Sequence, residues 1–162
     1  MLAIIIILVL IVVFYMYFMR ETIVSGIMLE RQGSLNIDEV EVWTKEGVNV
    51  ALNSTGTSTS YYSPKQQISQ MVDGIKTGKY AVGGVGGIFA TVDGNEAQKI
   101  VLTFPLPTPL KNIAKVTVYN RTECCQERIN GLVLTLLEGT TVVKTVPMVV
   151  NGSPPDISFD IV

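Results

Sequence analysis

The chain begins with MLAIIIILVLIVVFYMYFM, nineteen residues from Met1 to Met19 with no charge, no glycine and no proline. Such a run has few ways to fold. As a helix it spans about 28 Å at 1.5 Å per residue, close to the hydrocarbon thickness of a bilayer. A helix also satisfies its own backbone hydrogen bonds in lipid. Tyr15 and Tyr17 fall where an aromatic belt is expected. A cleaved signal peptide would need a basic leader and a shorter apolar core. No basic residue precedes Arg20, although Val24-Ser25-Gly26 offers a weak cleavage pattern. The segment therefore reads as a retained transmembrane helix over 1–19, with a lipid bilayer as first partner. Arg20 and Arg31 on its C-terminal flank favour a cytosolic C-terminal domain. Three N-x-[ST] sequons, at Asn53, Asn120 and Asn151, matter only in a lumen.

Residues 20–34, RETIVSGIMLERQGS, read as a juxtamembrane linker. From Leu35 to Val162 the pattern is all-β. The segments 35–43, 48–52, 87–92, 99–104, 114–120, 131–138, 141–146 and 156–162 are short and rich in Val, Ile and Thr. Gly, Pro, Asn or Asp bound each of them. This predicts an antiparallel sandwich or jelly roll. Alternation in LNIDEVEVW breaks around Glu39, and SPKQQISQMV (63–72) carries at most one short helical turn. Three alternating prolines in TFPLPTPL (103–110) predict an edge or a crossover loop. YAVGGVGGIF (80–89) lacks the Lys-Ser or Lys-Thr of a P-loop and reads as a flexible loop.

The sequence contains no histidine. That removes the commonest general base and zinc ligand, and every Ser-His or Cys-His pair. Two cysteines cannot complete a structural zinc site. A non-enzymatic protein is expected. The net charge of −2, with Lys and Arg scattered, excludes a broad nucleic-acid surface.

The two cysteines are neighbours in NRTECCQER, Asn120–Arg128, between Arg121 and Arg128. Adjacent Cα atoms lie about 3.8 Å apart, below the usual disulfide window. A bridge there would close almost no loop. Two thiols packed at a strand end and a strained, labile disulfide both remain open readings.

Arg121-Thr-Glu123-Cys124-Cys125-Gln-Glu-Arg128 resembles the fucolectin motif, Arg-x-Asp, four residues, then Arg. NVALNSTGTSTSYYSPKQQISQMVDG (49–74) is similar to the opening of galactose-binding-like sandwiches of the discoidin or coagulation-factor type C group. The resemblance implies a sandwich with a carbohydrate site formed by Arg121, Glu123, Cys124, Cys125 and Arg128, the cysteines bridged against the sugar. The family's sugar-binding histidine has no counterpart: Glu96 occupies its place by spacing and Ala90 by local pattern. LNIDEVEVW resembles the family's closing strand but comes first here, so the resemblance implies a circular permutation. It also implies a calcium site using Glu39 and Asp73 with the backbone carbonyls of Asp38 and of the chain near Gln70 and Ile75, an oxygen set suited to a hard cation. An apolar N-terminal helix before a lectin-like sandwich further resembles minor capsid proteins of large double-stranded DNA viruses. That resemblance implies a structural role between internal membrane and capsid, with capsid or membrane-associated proteins as partners. The alternative it leaves is a membrane-tethered, glycan-binding lectin.

Overall fold

The computed structural model describes residues 2–18, 20–80, 87–147, 152 and 154–161. One α-helix, α1 (Leu2–Phe18), precedes nine strands: β1 (Ile23–Gln32), β2 (Asn36–Thr44), β3 (Thr55–Ser58), β4 (Phe89–Ala90), β5 (Ala97–Pro109), β6 (Ile113–Asn120), β7 (Val133–Glu138), β8 (Thr141–Pro147) and β9 (Asp156–Asp160). They form two sheets, ordered β3-β5-β1-β7-β8 and β4-β2-β6-β9. Every pairing among them is antiparallel. The expected all-β sandwich is what the chain builds. Ile27 and Leu29 of β1, Val40 and Val42 of β2, Ile100 and Leu102 of β5, Val116 and Val118 of β6, and Leu134 and Leu136 of β7 are wholly buried in one core. Their spacing of two along each strand puts each set on one face.

At the N-terminal end one expectation is met in part and one is corrected. The first concerns the helix. The seventeen residues of α1 rise about 26 Å, and among the described residues no helix is long and apolar enough to cross a membrane. The second concerns residues 20–34. Ile23–Gln32 is a strand at the middle of the five-stranded sheet, paired with β5 on one side and β7 on the other. The sandwich therefore begins about a dozen residues earlier than Leu35.

Gly26 shows how closely β1 is fitted. A Cβ there would lie 2.2 Å from the carbonyl oxygen of Leu102 on β5. Backbone on a central strand cannot yield cheaply, so Gly26→Ala is expected to destabilise the chain by about 2 kcal/mol. Urea unfolding measures this, and an unchanged midpoint would contradict the fit. Beside this point the β1–β5 ladder slips: Gly26 faces Thr103, but Val24 faces Thr108. Five steps on β5 are taken against two on β1. The surplus carries Pro105 and Pro107, which have no N–H to pair, and Leu106, 74% exposed. The proline-rich stretch is thus a bulged end of β5 and not a separate crossover.

The segment VNVAL (48–52) is a turn, apart from a single bridge between Trp43 and Asn49. The Asn49 side-chain oxygen accepts the N–H groups of Val42 and Ala51, at 3.0 and 3.1 Å, and so competes with a strand ladder. The expected helical turn is a 3-10 turn at Ile68–Met71. The segment 81–86 of the glycine-rich stretch, expected to be a flexible loop, lies outside the described residues, as does Asn151. Of the other sequons, Asn53 is exposed while Asn120 is buried.

Candidate functional site

The loop after β6 carries the cysteines and arginines. Its base is fixed by Asn120, whose buried side-chain amide donates to the carbonyls of Gln126 (2.9 Å) and Pro154 (3.0 Å). That role occupies the nitrogen a glycan would need. Cys125 takes a left-handed backbone conformation, φ 58°, and starts a 3-10 turn, Gln126–Ile129. Few non-glycine residues adopt this conformation, and it reverses the chain sharply. Cys124 points to solvent and Cys125 is half-buried toward the loop's inner side. Both are thiols in this structure. A hydrogen bond with Cys125 raises the Cys124 thiol above its ordinary pKa, which keeps it a weak nucleophile.

The two arginines are held differently. Arg121 Nη2 meets Glu123 Oε1 at 2.7 Å, and the same oxygen accepts the Tyr80 backbone N–H at 2.7 Å. These partners, the Tyr80 amide foremost, hold the Glu123 carboxyl below its ordinary range. The Arg121 guanidinium also lies 5.4 Å from the Tyr80 ring centroid. Arg128 Nη1 pairs with Asp93 Oδ1 at 2.7 Å. Thr122 ties the loop to a second segment, donating to the Gly78 carbonyl through its N–H (2.8 Å) and its hydroxyl (3.1 Å). Gly78 has φ 65°, and a Cβ there would come within 2.3 Å of the Thr122 hydroxyl. Only glycine allows this approach.

Between these groups lies a pocket of about 210 Å³. It is lined by Arg121, Cys125 and Arg128 together with Tyr62, Tyr80, Ala90, Asn36 and Asp93. The rings of Tyr62 and Tyr80 meet edge to face, centroids 5.9 Å apart. Asn36 is buried, and both its amide atoms lack a partner, as does Arg121 Nε. Buried polar atoms are normally bonded, so these exceptions need an explanation, and hydrogen-bonding capacity kept for a ligand provides one. Arginine donors beside tyrosine faces can bind hydroxyls while ring C–H groups pack on the aromatics. The sequence-expected Arg121, Cys125 and Arg128 are thus brought together. Glu123 serves as the brace of Arg121, and Cys124 lies outside the lining. Of the two positions opposite the family's histidine, Ala90 is on the pocket wall; Glu96 is exposed, and its carbonyl accepts the Gly33 N–H. Asn36, Tyr62, Tyr80 and Asp93 were not anticipated. Asp93-Gly94 is a turn signal, but nothing local in the sequence marks the other three.

The second expected site is the acidic one on β2. A bulge at Asp38 shifts the register, so that Ile37 faces Asn120 while Glu39 faces Tyr119. This extra residue is the break in alternation around Glu39. Asp38, Glu39 and Glu41 are all buried. Glu41 is well satisfied: Lys76 Nζ meets it at 2.6 Å, and Trp43 Nε1 and the Tyr119 hydroxyl each donate at 2.9 Å. Burial pushes its carboxyl up, but these three donors outweigh burial and hold it below its ordinary range. Glu39 accepts the Gly74 N–H at 3.0 Å through one oxygen; the other oxygen has no partner. Burial, with Asp73 and Glu41 adding like charge, pushes its pKa up to about 8. Burial raises Asp38 as well, against opposing hydrogen bonds from Gly78 and Thr77.

The unpartnered Asp38 Oδ1 and Glu39 Oε2 would suit a cation. The resemblance draws its other oxygens from Asp73 and from the backbone carbonyls of Asp38, Gln70 and Ile75; Asp73 Oδ1 accepts the Ile75 N–H at 2.8 Å. Calcium takes six to eight oxygens. Among the described residues no group of three or more Cys, Asp or Glu side chains is arranged to hold a metal ion. Comparison with models of known protein families, with curated proteins and with solved structures finds no match for this chain.

Proposed function

We propose that the chain is a non-enzymatic contact protein whose sandwich binds a glycan in the two-arginine pocket while α1 lies against lipid. The observation that carries the pocket reading is the set of buried, unpartnered polar atoms, Asn36 and Arg121 Nε, beside the Tyr62 and Tyr80 rings. This is the arrangement expected of a lectin-like sandwich, here with a permuted strand order. Its donors are arginines, with no histidine among them. The test is a glycan array probed with the full-length chain in detergent. Arg121→Ala and Arg128→Ala are each expected to weaken binding about tenfold or more, since each removes charge-assisted donors. No binding by the parent chain, or binding that neither substitution changes, overturns the reading.

A second reading is supported by α1. The side chains of Ile5–Val12, Phe14 and Tyr15 are 49% to 62% exposed, and the helix has no polar stripe. A helix apolar all round is stable when something apolar covers it. In this reading the cover is the internal membrane of a virion, the sandwich contacts the capsid lattice on the cytosolic side, and the protein is a minor capsid component. Co-purification with particles, and retention in the membrane–capsid layer after mild detergent, is the expected result. Recovery only as a free cellular protein overturns it.

A further inference from the structure

We propose that the two-arginine pocket is one of two adjoining subsites, and that its ligand is a saccharide of at least two residues lying across the Asp93–Arg128 ion pair. This rests on the glycan reading above and specifies the ligand class. Beside the pocket lies a second hollow of about 320 Å³. It is lined by three segments: residues 31–34, 93–95 and 127–128. Asp93 and Arg128 line both hollows, so their 2.7 Å ion pair is a common wall and not a boundary of the site. The pocket alone, at about 210 Å³, is smaller than the roughly 300–1,000 Å³ usual for small-molecule sites. With its neighbour it falls within that range.

The chemistry of the second hollow selects the same class of ligand. All of its lining residues are polar, charged or glycine. An apolar peptide anchor or an acyl chain would find nothing there to bury against, whereas a hydroxyl-rich residue would. Arg31 is the principal donor. Its Nε donates to the Asn130 carbonyl at 2.6 Å and its Nη1 to the Ser34 carbonyl, which fixes the plane of the guanidinium. A guanidinium has five N–H groups, and two carbonyls do not use them all. No carboxylate lies within ion-pair distance of Arg31 among the described residues; Glu127 acts on it only at longer range. The tyrosines stay on the pocket side. One terminal sugar would therefore stack in the pocket, and the next would hydrogen-bond in the hollow.

The test uses the full-length chain in detergent and an array that displays each saccharide as mono-, di- and trisaccharide of one linkage. Among glycans that bind, the longer forms are expected to bind about tenfold tighter than their terminal monosaccharide. Glu127→Trp, at an exposed position that lines the hollow, fills it. It should abolish that gain while leaving monosaccharide binding and the melting temperature unchanged. Arg31→Ala should also abolish the gain, but it removes two backbone ties, so its melting temperature is read alongside. Equal affinity for all lengths, with Glu127→Trp binding like the parent, overturns the two-subsite inference and leaves the pocket reading intact. Failure of every glycan at every length overturns both.

Discussion

A Phe89→Ala chain is expected to lose about 3–5 kcal/mol of stability, the usual cost of emptying a buried aromatic site. Phe89 is among the largest fully buried side chains. It lies on the two-residue strand β4, paired with Ile37 of β2, and its ring meets Tyr61 edge to face at 5.5 Å. A strand this short contributes few ladder bonds, so the Phe89 side chain holds it in place. Its neighbour Ala90 lines the two-arginine pocket, and the Ala90 carbonyl accepts the Tyr62 N–H at 2.9 Å. The substitution should therefore weaken ligand binding as well as folding. A melting temperature about 10 °C lower is the corresponding change for a chain of this size. A melting temperature within a degree or two of the parent would show that β4 is held by something other than its aromatic anchor.

Glu39→Gln is expected to reshape the pH dependence of stability. Glu39 has its carboxyl pKa raised from an ordinary 4.5 to about 8. Between those values the folded chain keeps a proton that the unfolded chain releases. Stability then falls as pH rises from about 4.5, and levels off above about 8. Across that window each pH unit removes about 1.4 kcal/mol, so the total loss is on the order of 5 kcal/mol. Asp38, raised by burial, adds in the same direction. Glutamine is neutral at every pH and can still accept the Gly74 N–H. The variant should match the parent near pH 5 and exceed it clearly at pH 9. Urea unfolding at pH 5, 7 and 9 checks this, and parallel profiles for the two chains would show that Glu39 is charged in the folded state.

Much of the sandwich is legible along the chain. β2, β6, β7, β8 and β9 lie close to their expected places because Val, Ile and Thr alternate between clear turn residues. β1 is not legible in the same way. Ser25, Gly26, Glu30 and Arg31 interrupt its apolar residues, and it follows directly on the apolar run, so it has the composition of a connector. Gly26 lowers strand propensity, yet the close approach of β5 requires it. The break around Glu39 is visible in the sequence, but its cause is not: only pairing with Tyr119 shows the bulge. The site divides in the same manner. Arg121, Cys125 and Arg128 share one loop and can be read together. Asn36, Tyr62, Tyr80 and Asp93 come from four separate segments that only the sheet topology assembles. The acidic set is no more legible: the hydrogen bonds that Gly74 donates to Glu39 and Ile75 to Asp73 depend on how 73–78 folds over β2.

The slipped end of β5 has a consequence for the life of the protein in a crowded cell. β3 covers the outer side of β5 only from Ile100 to Thr103. Beyond that the strand turns an open flank to its surroundings, and an open flank is an invitation for a second copy to zip on and for fibrils to grow. Pro105, Pro107 and Pro109 withdraw the donors such templating needs. The stretch that looks least like a strand thus leaves a second copy little to pair with.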